Sequence, residues 1–112
     1  MGIVIRHFEG VAVLDVLGSI QGGPESAELK EKVASLLGTG TSRIVLNLAG
    51  VPWMNSSGIG TLFACHLAAS QRGGRLALLN VPEKIVALLR VTHLNQVFAI
   101  HADEEVAVKS LA

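Results

Sequence analysis

The 112-residue chain predicts a single α/β domain, residues 1–112, with a mostly parallel sheet of about five strands and four helices. Three observations predict this class. Short apolar runs rich in β-branched residues alternate with segments of helical period, the pattern of β-α-β units joined by crossovers. Gly and Pro punctuate the junctions between those segments. Half of the residues are hydrophobic and 16% are charged, enough for one core, and the length leaves no room for a second domain.

The elements follow in order β-β-α-β-α-β-α-β-α. Ile3 to Phe8 and Val11 to Leu17 read as strands joined by a tight turn at Glu9-Gly10. The second strand carries Val11, Val13, Asp15 and Leu17 on one face and Ala12, Leu14 and Val16 on the other. Nearly apolar on both faces, it is expected inside the sheet, with the first strand antiparallel to it near an edge. Gly18 to Gly23 is a loop. Pro24 suits the first turn of a helix, Glu25 and Glu28 complement its dipole, Leu29, Val33, Leu36 and Leu37 form its apolar stripe, and Gly38 stops it. Ile44 to Leu48 is a buried strand. Ser56 to Gln71 has helical period and ends at Gly73-Gly74. Leu76 to Leu79 is a strand, Pro82 starts a third helix, Val97 to Ile100 is a last strand, and Asp103 opens a final helix.

Lys+Arg and Asp+Glu balance at 9 each, and the basic residues are scattered. That argues against a nucleic-acid partner, which needs a basic face. A single cysteine, Cys65, excludes a disulfide framework and a Cys/His zinc pattern. Because no apolar run resembles a signal peptide or a membrane span, a cytoplasmic protein without membrane insertion is expected. No cofactor is expected either: Gly58-Ile59-Gly60 lacks the spacing and Lys of a phosphate-binding loop.

No enzyme activity is expected. Ser56 and Ser57 do not sit in a Gly-x-Ser-x-Gly elbow. His66 lies about 15 Å along the same helix by its rise, too far to activate Ser56. A half-buried helix histidine is the simpler reading. His7, His93 and His101 are dispersed without ligand spacing. Cys65 reads as structural, with nothing nearby to lower its thiol pKa.

The informative stretch runs from Ile44 through Gln71, which contains no Asp, Glu, Lys or Arg. A helix wheel over Ser56 to Gln71 puts Ile59, Leu62, Phe63, His66 and Leu67 toward the core. The opposite face is Ser57, Thr61, Ala64, Cys65 and Ala68, closed by Arg72. A smooth uncharged face of this kind is either covered by the same chain or open to a partner protein, and the partner is the favoured reading. Asn55-Ser56-Ser57 opens the helix. One such residue would suffice as a cap; three, followed by Gly58 and Gly60, also leave the backbone approachable. A hydroxyl at a helix N-terminus beside an uncharged surface suits a phosphate switch, because a phosphate adds about −1.5 to −2 charges. Trp53 reads equally as an interface anchor or a core residue.

These residues resemble the STAS domain of bacterial anti-sigma factor antagonists. The resemblance runs through Gly18-Ser19-Ile20, Arg43-Ile44-Val45-Leu46-Asn47-Leu48 and the signature Met54-Asn55-Ser56-Ser57-Gly58-Ile59-Gly60. It continues with Gly73-Gly74, Pro82 and Thr92-His93-Leu94. It implies β-α units wound into a superhelix. It also implies that Ser56 is phosphorylated by a partner that is both anti-sigma factor and serine kinase, of the histidine-kinase-like ATPase type, with a serine phosphatase as counterpart. The unphosphorylated protein would bind that kinase and free its sigma factor. Asn55, Ser57, Gly58, Gly60, Thr61, Ala64, Cys65, Ala68 and Gln21 would form the docking surface. Two positions depart from the family pattern: Asn55 and Gln21 stand where acidic residues are usual. Related STAS domains also serve as scaffolds of stress complexes or as accessory subunits of lipid-transporting ABC-type complexes.

Overall fold

The computed structural model describes residues 2–112. The elements are β1 (Gly2–Phe8), β2 (Val11–Leu17), α1 (Pro24–Gly38), β3 (Arg43–Gly50), α2 (Ser56–Gln71), β4 (Arg75–Leu79), α3 (Glu83–Val91), β5 (Ala99–His101) and α4 (Glu104–Leu111). They form one sheet in the order β1-β2-β3-β4-β5. β1 pairs antiparallel with β2, and the other neighbours are parallel. The predicted class, element order, and five strands with four helices all match.

The hairpin turn is as tight as the sequence requires. Glu9 and Gly10 both have positive φ, 48° and 81°, which is the backbone of a type I′ turn and matches the twist of the flanking strands. Because each later strand is added on the same side of the last, right-handed crossovers bring α1, α2 and α3 to one face. There Ala12, Leu14 and Val16 of β2 pack with Leu29, Ile59, Leu62, Ile85 and Leu89. Val11 and Val13, on the other face of β2, pack with Ala107, Val108 and Leu111 of α4. β2 is therefore buried on both sides.

Several boundaries differ from expectation: β1, β3 and β4 reach one or two residues further, to Gly2, to Arg43 and Gly50, and to Arg75, and the last strand and third helix shift. The last strand is Ala99–His101 rather than Val97 to Ile100. Val97 N–H donates to the Leu94 carbonyl at 3.0 Å, closing a turn, and Phe98 is spent on the core. The third helix begins at Glu83, with Pro82 as its N-cap in extended conformation. Asp103 caps α4, its carboxylate accepting from Val106 N–H at 3.0 Å.

Candidate functional site

The site lies where the β2–α1 loop meets the start of α2. Gly18 N–H donates to the Gly50 carbonyl (2.9 Å) and Ile20 N–H to the Trp53 carbonyl (3.3 Å). A single parallel bridge, Ile20 to Met54, draws the two connections together. Ile20, Val51 and Met54 are buried, so the loops are pinned from below by apolar side chains. Gly22 N–H donates to Ser26 Oγ at 2.9 Å and ties the loop to the first turn of α1.

Asn55 caps α2. Its Oδ1 accepts from Gly58 N–H at 2.9 Å, and its Nδ2 donates to the Gln21 carbonyl at 3.1 Å. Gln21, Asn55, Ser56 and Ser57 are thus brought together although Gln21 is remote in sequence. Ser56 and Ser57 expose their side chains. Oδ1 of Asn55 occupies the Gly58 N–H; the earlier N–H groups of the helix lack intrahelical partners and stay available to an anion. None of these residues is charged, and neither is any residue from Ile44 to Gln71.

The two signature glycines differ in role. A Cβ on Gly58 would overlap the Ile20 carbonyl oxygen and Met54 Cγ, so Gly58 is what allows the loop to lie on the helix. It is buried and serves packing. A Cβ on Gly60 would meet nothing within 4 Å. Gly60 is exposed, and nothing among the described residues requires its missing side chain.

The expected outer face of α2 needs correction. Thr61 is 5% exposed and Cys65 1%, so their side chains cannot meet a partner. Thr61 Oγ1 donates to the Ser57 carbonyl at 3.1 Å. α1 lies alongside α2, and Val33, Leu37, Ala64, Cys65 and Ala68 line the shallow groove between them. Because α2 packs on the sheet and on α1 together, its buried arc is turned toward α1. Leu67, expected in the core, is 42% exposed as a result. The exposed ridge therefore runs through Ser56, Ser57, Gly60 and Leu67, with Ala64 and Ala68 half-buried at its side.

Trp53 is 47% exposed beside this ridge. Its neighbours Val51 and Met54 fill the inward positions of the same loop, a division that loop sequence alone does not reveal. Burial pushes the Cys65 thiol up to about 11, with Lys30 opposing the rise, which suits a structural thiol. His66 is half-buried, stacked on Phe63 (ring centroids 6.0 Å) and edge-on to Phe98 (5.5 Å). Among the described residues no cluster of three His, Cys, Asp or Glu could hold a metal. No helix among the described residues is long and apolar enough to cross a membrane.

The STAS domain family model matches residues 2–107. The chain belongs to that family. An anti-sigma-B factor antagonist of Staphylococcus epidermidis is 32% identical over 79 residues, 70% of this chain and 73% of the relative. An anti-sigma F factor antagonist of Paenibacillus polymyxa is 24% identical over 109 residues, 97% of this chain and 93% of the relative. The fold is shared with the Bacillus cell fate determinant SpoIIAA in its phosphorylated form, with a TM-score of 0.77 and 18% identity, covering 99% of this chain and 100% of that one. An anti-sigma-factor antagonist (STAS) domain protein from Planctomyces limnophilus gives a TM-score of 0.80 at 21% identity, covering 97% of both chains.

Proposed function

We propose that this chain is an anti-sigma factor antagonist controlled at Ser56. With Ser56 bare it binds an anti-sigma factor that is also a serine kinase, and the sigma factor is released. Phosphorylation of Ser56 ends that binding. The observation that carries the reading is the exposed Ser56 side chain at the first position of α2, among the uncharged Gln21, Asn55 and Ser57. Covering a bare serine there costs little, whereas a phosphate brings about −1.5 to −2 charges that a partner would have to desolvate. The names of the sequence relatives support the anti-sigma factor as partner. Ser57, Gly60, Ala64 and Ala68 on α2, with Asn55 and Gln21 at its start, form the docking surface. Thr61 and Cys65 drop out of it, and Gly58 shapes it from beneath. The action belongs to the cytoplasm, and the protein needs no cofactor for it.

The test is a parallel affinity capture from native lysate with wild type and Ser56→Asp as baits. A serine kinase recovered by wild type alone, with affinity at least about 100-fold weaker for Ser56→Asp (~2.7 kcal/mol), supports the switch. Equal recovery by both baits overturns it, and a membrane ATPase held by both would assign the chain to a transport complex.

A further inference from the structure

A second polar site lies at the opposite end of α2 from Ser56. Between the end of α2, the start of β4, β5 and the end of α4 is a half-open cavity of about 390 Å³. Its polar lining is His66, Ser70, Arg75, His101 and Ser110, and no Asp or Glu is among the residues that line it. Among the described residues no salt bridge engages Arg75.

The imidazoles add donors to this guanidinium. Nδ1 of His66 is completely covered and has no hydrogen-bond partner. An unpaired buried N–H is costly, so the proton belongs on Nε2, the nitrogen that solvent or a ligand can reach. Nε2 of His101 lies 3.4 Å from Ser110 Oγ, whose own proton goes to the Ala107 carbonyl at 2.7 Å. That long contact is readily exchanged for a better acceptor. The cavity thus offers an Arg fork, two imidazole N–H groups and the Ser70 hydroxyl, and presents no carboxylate. Leu76, Val97 and Leu111 supply an apolar wall.

We propose that this cavity binds a small organic anion, its carboxylate or phosphate on Arg75 and the two histidines and its short apolar body against Leu76, Val97 and Leu111. Donors without matching acceptors select an anionic acceptor, and Arg suits the planar fork of either head group. The volume is within the range of small-ligand sites and exceeds what a bare inorganic ion fills.

The test uses the full chain and does not depend on the Ser56 reading. The ring resonances of His66 and His101 are followed by NMR while sodium butyrate or butyl phosphate is added, with sodium chloride at matched ionic strength as reference. Saturable shifts with a Kd at or below about 1 mM for either organic anion, weakened at least ten-fold in Arg75→Gln, are expected. The preferred anion identifies the head group. Arg75 is exposed, so an unchanged spectrum elsewhere reports an intact fold. Shifts that fail to saturate, that chloride reproduces, or that survive Arg75→Gln unchanged overturn the proposal. Ser56→Asp should bind the anion as wild type does.

Discussion

Asn55 hydrogen-bonds the backbone of Gln21, its Nδ2 reaching the Gln21 carbonyl at 3.1 Å while its Oδ1 caps α2 through Gly58 N–H at 2.9 Å. One carboxamide therefore joins the β2–α1 loop to the helix that carries Ser56. Only a side chain with a donor and an acceptor can make both bonds.

Asn55→Asp keeps an acceptor for the cap but loses the donor and sets a carboxylate against the Gln21 carbonyl. Global stability should change by no more than about 1 kcal/mol, since an acidic cap also suits the helix dipole. Amide exchange at Gly22 and Gly23 should rise several-fold. Asn55→Ala should lose both bonds and cost about 1–2 kcal/mol in urea unfolding. Unchanged loop exchange in Asn55→Asp would mean that the Gln21 contact holds nothing in place.

Substitution of the two signature glycines should move stability in opposite directions. Gly58→Ala places a methyl group on the Ile20 carbonyl and Met54, and a loss of about 1–3 kcal/mol or more is expected. Gly60→Ala meets open space and should gain about 0.5–1 kcal/mol from helix propensity. Denaturant midpoints measure both. A Gly60→Ala variant that is more stable yet binds the captured partner less well would show that the glycine serves the interface.

Asp15 should make the stability depend on acid. Arg6 holds its carboxylate with two hydrogen bonds of 2.7 and 2.9 Å, Asn47 adds another at 2.8 Å, and Arg6 also reaches Glu104 of α4. The Arg6 hydrogen bonds lower the Asp15 pKa against the opposing effect of burial, with Asn47 lowering it further. Because the folded pKa is below the unfolded one, the contribution is full above about pH 4 and is lost as pH falls through the folded value. The stability gap between wild type and Asp15→Asn should be constant from pH 7 to about pH 5 and narrow below pH 4. A gap independent of pH would show that the ion pair contributes nothing through charge.

Cys65 should resist modification in the native state. It is 1% exposed, and its thiol is pushed up to about 11, so at pH 8 only about one molecule in a thousand carries a thiolate. Reaction with a thiol reagent should be at least about 100-fold slower than in urea-unfolded protein and should track unfolding across a denaturant series. Rapid native labelling would place Cys65 back on the exposed face of α2.

The elements and the start of the serine-bearing helix were legible because their signals are local. The Asn cap, the 3.6-residue period and the closing Gly73-Gly74 delimit α2 at Ser56–Gln71, as found. The alternating faces of β2 separate into the two cores. The rotation of α2 was not legible. Its wheel is apolar or small nearly all round, and without charges nothing in the sequence marks which side α1 covers; the wheel therefore places Thr61 and Cys65 outward and Leu67 inward.

By itself, then, the sequence determined the order of strands and helices, the helix that begins at Ser56, and the family, through patterns that span a few residues each. Only the tertiary structure decided that Trp53 is exposed while Met54 is buried, that Gln21 and Asn55 meet, and that His66, Arg75 and His101 share a cavity. Those relations depend on the packing of α1 against α2 and of β5 and α4 against β4. They join residues far apart in the chain, and no local preference encodes such a contact.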